Sequence, residues 1–234
     1  MSADDYELAA DDLARRCLAK FDDEEASPEL RAFALGVVVS QVSAGNLAML
    51  AHVPDICRSL KEFATRMRPI TGTGSKDFYR QITDASSMIL GLPVPQPCPA
   101  DAWLTPLMQY FVQLASCRDV KTAKRACEFW SSIHVIGGGA RCWATLCARK
   151  AQLARLLTSL IDQMIFRDDV ELSSFESLCR KAEAAFQTIV GVCPRQLICK
   201  TLIPLIEART ESDSWAEKEA AIRALHAFTN AVGE

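Results

Sequence analysis

Two kinds of helical segment alternate along this chain of 234 residues. One kind is long and leucine-rich and carries an internal proline: LAHVPDICRSLKEFA, AWLTPLMQYFVQLA and CKTLIPLIEA. The other kind starts near a basic residue and is rich in alanine: RAFALGVVVSQV, KTAKRACEFWSSI, LCRKAEAAFQTIV and AEKEAAIRALHAFTNAV. Pro54, Pro106 and Pro204 fall at matching points of the first kind, about 52 and then about 98 residues apart. A proline inside a helix removes a hydrogen bond and bends the chain. Recurrence at one phase therefore predicts a repeated bend.

The second proline gap is close to twice the first, and a fivefold division of the chain gives a unit of roughly 47 residues, near the upper end of the HEAT and armadillo period. No alternating run bounded by hairpin turns is found, so strands are not expected. Loop signals stand at PITGTGSK (69–76), GLPVPQPCPAD (91–101) and IGGGA (136–140). The pattern predicts first helices over 5–20, 47–67, 103–116, 150–166 and 194–211. It predicts second helices over 29–43, 76–90, 121–134, 173–192 and 214–232. The expected fold is an all-α HEAT-repeat solenoid (an α-α superhelix) of about five helix pairs. It forms a single array over 1–234, with repeats near 1–46, 47–91, 92–138, 139–193 and 194–234.

The closing helix carries two stripes at helical spacing: large residues at Trp215, Ile222, Leu225, Phe228 and Val232, and small ones at Ala220, Ala224, Ala227 and Ala231. In a solenoid each helix touches its pair-mate and the neighbouring units, so two faces are apolar. A coiled coil would instead show one seam with a seven-residue beat. A closed helical bundle also yields multi-faced helices and is the alternative.

Composition narrows the function. Half the residues are hydrophobic and the formal net charge is −3, which excludes a nucleic-acid binder working by bulk charge. The first 29 residues hold 10 acids and 3 bases. Such a run either faces a basic partner or is a solvated helix face. The opening MSADDYELAADD has no basic n-region or apolar h-region. The longest apolar run, AFALGVVVSQV, falls short of the ~20 residues needed to cross a bilayer. The expectation is a soluble intracellular chain without membrane insertion. The ten cysteines form no CxxC and no zinc spacing, and most lie in apolar helical stretches. They read as reduced core thiols, with no metal and no cofactor.

Catalysis finds no support in the sequence. His52, His134 and His226 are far apart, with no nucleophile pattern beside them. His226 reads as a polar position in the packing. TGTGSK lacks the spacing of a phosphate loop and reads as an inter-helix turn. Trp130 with Phe129, and Trp215, sit at core-compatible phases and read as packing residues rather than peptide-stacking ones. Asp168, Asp169 and Glu171 form a charged turn, either solvated or a contact for a basic partner.

Four stretches, in order, resemble the HEAT array of the karyopherin-β (importin-β) family, its transportin branch above all. They are SPELRAFALGVVVSQVSAGNLAMLAHVPDICRSLKEFA (27–64), VKTAKRACEFWSSI (120–133), LARLLTSLIDQMIF (153–166) and LIPLIEARTESDSWAEKEAAIRALHAF (202–228). They match an internal part of that family's N-terminal half. The resemblance implies a non-enzymatic import receptor shuttling between cytoplasm and nucleus. Its implied partners are the small GTPase Ran, cargo proteins bearing nuclear-localisation signals, and nucleoporins. Recognition would run along a curved inner face made by the second helices. The family's long acidic loop corresponds to RDDVELSS here, which is much shorter, and Phe175 lies near the family's tryptophan beside that loop. Asp168, Asp169, Glu171 and Phe175 are thus the expected protein-binding residues. Two other readings stay open: a general HEAT scaffold or regulatory subunit, and a small helical enzyme using a cysteine.

Overall fold

The computed structural model describes residues 3–66, 70, 74–92, 100–132, 139–167 and 169–232. Twelve helices lie among them: α1 (Ala3–Asp22), α2 (Pro28–Ser43), α3 (Leu47–Leu50), α4 (Val53–Arg66), α5 (Ser75–Gly91), α6 (Ala100–Ala115), α7 (Val120–Ser132), α8 (Gly139–Ala148), α9 (Lys150–Asp162), α10 (Leu172–Val192), α11 (Arg195–Thr210) and α12 (Trp215–Val232). No described residue is in a strand, and no described helix is long and apolar enough to cross a membrane. The fold is all-α and built of helix pairs, as the period predicts. The chain divides within α6 into two compact units, 1–107 and 108–234.

In the first unit α1 packs on α2, α1 on α4, and α2 on α5. Phe63 of α4 meets Phe78 of α5 with ring centroids 5.2 Å apart, which closes the second pair. Phe21 stacks on Phe78 at 6.0 Å. The buried Arg31 guanidinium lies over these three rings, 5.2 Å from Phe78, and its Nε donates to the Phe21 carbonyl at 2.8 Å. Cation–π attraction and that hydrogen bond offset the desolvation of its charge. Helix α2 starts cleanly because the Ser27 hydroxyl accepts from the Leu30 N–H and Pro28 fills the first turn.

In the second unit Phe111 of α6 stacks flat on Phe129 of α7, centroids 3.8 Å apart. Helix α7 packs on α10, α10 on both α9 and α12, α11 on α12, and α9 on α11. Second helices thus lie side by side in the order α7, α10, α12, and first helices α9 and α11 follow suit. That like-on-like stacking is the helical-repeat arrangement.

Within the second unit the period reappears in the side-chain ties between repeats. Gln163 donates to the carbonyls of Ala115 and Cys117, 48 and 46 residues earlier. Arg167 donates to the Arg118 carbonyl, 49 residues earlier, and Arg209 pairs with Asp162 across 47 residues. Each tie links the end of one first helix to the end of the next.

Four expectations need correction. The first helix expected over 47–67 is two helices: a turn at Ala51–His52 separates α3 from α4. Pro54 therefore opens α4, where its missing N–H is an orphan anyway, whereas Pro106 and Pro204 lie inside continuous helices. The three prolines do not share one bend. Helix α8 is additional to the five pairs; its start lies in the stretch read as a loop, of which residues 136–138 are outside the described part. Trp215 is not packed: its side chain, like Ile222 and Leu225, is exposed, while Ala220, Ala224 and Ala227 are buried. Trp130 is fully buried, as expected.

Candidate functional site

Among the expected contact residues, Asp168 lies outside the described residues. Asp169 and Glu171 are exposed on the turn between α9 and α10. That turn is anchored at its base by the Gln163 and Arg167 bonds to the end of α6. Glu171 accepts from the Ser173 hydroxyl at 2.9 Å, and its carbonyl accepts from the Phe175 N–H, so it stands at the mouth of α10. An acid there faces the positive end of the helix dipole.

Phe175 sits differently from the acids. It is buried and packs edge-on against Phe166, centroids 5.2 Å apart. An apolar ring one turn into α10 thus meets a ring in the turn that follows α9, and Phe175 also lines a hollow with Glu176, Cys179, Arg180 and Arg223.

The second helices carry a ladder of charge. Lys124 of α7 donates to Ser177 of α10 at 2.7 Å, and Lys181 of α10 reaches Glu128 of α7 at 3.5 Å. Arg223 of α12 meets Glu183 of α10 at 3.3 Å and Glu219 at 2.8 Å. Its pKa is pushed up, first by the Glu219 hydrogen bond, with burial opposing and the Glu183 hydrogen bond adding to the rise. Sequence reading missed this ladder because its partners come from successive units and share no motif.

On the first-helix side, a groove of about 680 Å³ runs between α6 and α9. Gln109, Gln113 and Ser116 line one wall, and Gln152, Arg155 and Thr158 the other. Primary amides offer both donors and acceptors, the complement of an extended peptide backbone. The expectation placed recognition on the second helices; this groove is on the other row.

Two of the described cysteines have strongly raised pKa values. Burial, with Glu128 adding to it, pushes the Cys127 thiol up to about 12. Burial and then Glu183 do the same for Cys179, also to about 12. Neither is a thiolate near neutral pH. His52 is buried between Asp11 at 3.2 Å and Asp55 at 3.5 Å, and His226 is exposed beside Asn230 rather than packed. His134 lies outside the described residues. No group of three or more metal-ligating side chains is found among the described residues.

No protein-family model matches the chain, and no curated protein matches it. Solved structures similar to it at a low level include two repeat-like proteins. One is an engineered protein, 13% identical with a TM-score of 0.37, the match covering 94% of this chain and 99% of that one. The other is a designed armadillo repeat protein, 13% identical with a TM-score of 0.34, covering 91% and 98%. Neither brings in the karyopherin-β family, which stays a resemblance of the sequence.

Proposed function

We propose that this chain is a non-catalytic protein-binding module of a transportin-like karyopherin-β import receptor, shuttling between cytoplasm and nucleus. Its partners are GTP-loaded Ran and cargo proteins with basic nuclear-localisation signals, with nucleoporins as further contacts. The coarser reading, a helical-repeat scaffold for protein partners, rests on the fold alone. The finer one rests on the ordered resemblance in sequence.

The observation that carries the reading is the acidic turn after α9. Its Asp169 and Glu171 carboxylates are exposed, and Gln163 and Arg167 hold its base one repeat back, at the end of α6 and the turn that follows it. Charges held in place steer a basic partner and set its orientation more than they raise raw affinity. The amide-lined groove between α6 and α9 offers an extended peptide a second surface on the same unit.

Surface-immobilised chain titrated with GTP-loaded Ran, and separately with a basic signal peptide, tests the proposal. Binding is expected for at least one of them, with association several-fold slower for Asp169→Asn/Glu171→Gln at low salt and the difference fading at high salt. No binding of either up to high micromolar concentration removes the karyopherin reading and leaves the scaffold.

A further inference from the structure

We infer that Cys147 and Cys193 form a redox-sensitive pair that closes into a disulfide under hydroperoxide. The inference is independent of the proposed partners. The two sulfurs are 3.1 Å apart. That is inside the sum of two sulfur radii and roughly 1 Å longer than an S–S bond. One thiol donates to the other in the reduced protein.

The positions favour closure. Cys147 lies in the last turn of α8 and is half-exposed, so a small oxidant reaches it. Cys193 caps the end of α10, buried, with its backbone extended at φ −86° and ψ 151° just before Pro194. Neither sulfur sits inside a rigid helix interior, so the short approach needs only side-chain rotation and small movements at two helix ends. The pair spans 46 residues, the same separation as the Gln163 bond to Cys117. The bond would therefore tie the α8–α9 junction to the α10–α11 junction, one repeat to the next. Cys127 and Cys179, with thiols pushed up to about 12, resist the same oxidant.

The chemistry balances with hydrogen peroxide as the oxidant. The Cys147 thiolate attacks one peroxide oxygen, the O–O bond breaks, and the departing hydroxide takes a proton to become water. The sulfenic acid left on Cys147 is attacked at sulfur by Cys193. The S–S bond forms, the S–O bond breaks, and the second hydroxide leaves as water with the Cys193 proton. Two thiols and one peroxide become one disulfide and two waters, the two electrons passing from sulfur to oxygen. A small dithiol reverses the bond by exchange.

The test uses the folded chain treated with a modest molar excess of hydrogen peroxide. The mass is read intact, and the cross-linked peptides are mapped without reduction. The expected result is loss of two hydrogens, a Cys147–Cys193 linked peptide ahead of any other, reversal by dithiothreitol, and a thermal midpoint raised by several degrees. In Cys193→Ser the sulfenic acid on Cys147 has lost the thiol 3.1 Å away and is trapped by a 1,3-diketone probe. Oxidation of Cys147 to the sulfinic state in the wild-type chain without a bridge would overturn the inference. So would a scrambled set of bridges through Cys117 or Cys199, or an unchanged mass.

Discussion

Gly74 shows how a single backbone angle fixes a helix start. Its φ of +83° lies in the left-handed region, and it stands immediately before α5. A Cβ there would meet the Glu29 carboxylate at 2.1 Å. Glu29 is flexible and can swing away, but the backbone angle cannot relax, so Gly74→Ala should cost about 1–2 kcal/mol in urea unfolding. Asp22 gives a pH signature. Burial, partly offset by the Ser59 hydroxyl donating at 2.9 Å, raises its pKa above the ordinary 3.8, and burial does the same to Asp84. The folded chain therefore binds more protons than the unfolded chain in the window from 3.8 up to the raised folded values. Through that window stability falls as pH rises, because the unfolded state gives up its protons first. In Asp22→Asn the slope of unfolding free energy against pH should be shallower across the same window, measured beside the wild type.

At the scale of elements, α12 shows what a periodic pattern can and cannot say. Both of its stripes were legible in the sequence, because residues three and four apart share a helix face. Both were expected to be covered, and only the alanine stripe is buried. The alanines let α12 approach α10 closely, and the large residues face away, a choice made by the neighbouring helix and invisible along one chain. Ala224→Leu should therefore destabilise by about 1–3 kcal/mol through overpacking. Ile222→Asn, on the exposed stripe, should stay within about 0.5 kcal/mol. Equal effects of the two in chemical denaturation would contradict this packing. The prolines teach a similar lesson. They were read as one recurring bend, yet Pro54 lies in the first turn of a helix and Pro106 and Pro204 lie inside two continuous ones, since sequence spacing does not fix position within a helix. Helix α8 escaped notice because its glycine start reads as a loop signal.

Across the whole chain, the order of paired helices was readable from alternating composition and from a unit of roughly 47 residues. Its physical basis emerges only in three dimensions. Gln163 on the Ala115 carbonyl and Arg209 with Asp162 join chain segments 48 and 47 residues apart, so the sequence period is the stride of the stack. In the expected contact turn Asp169 and Glu171 are exposed, whereas Phe175 is buried and meets Phe166, a pairing across a turn that spacing alone does not disclose. The groove and the charge ladder were not legible, since their walls come from separate repeats. What distinguishes a row from a bundle is whether α10 separates α7 from α12. Nitroxide-bearing residues introduced at Lys121 of α7 and Lys218 of α12, near the two helix starts, measure this by pulsed dipolar spectroscopy. A row gives a backbone separation of about 16–20 Å, two helix spacings, after allowance for the label arms. A single spacing of about 8–10 Å would put α7 against α12 and contradict the stacked-repeat fold.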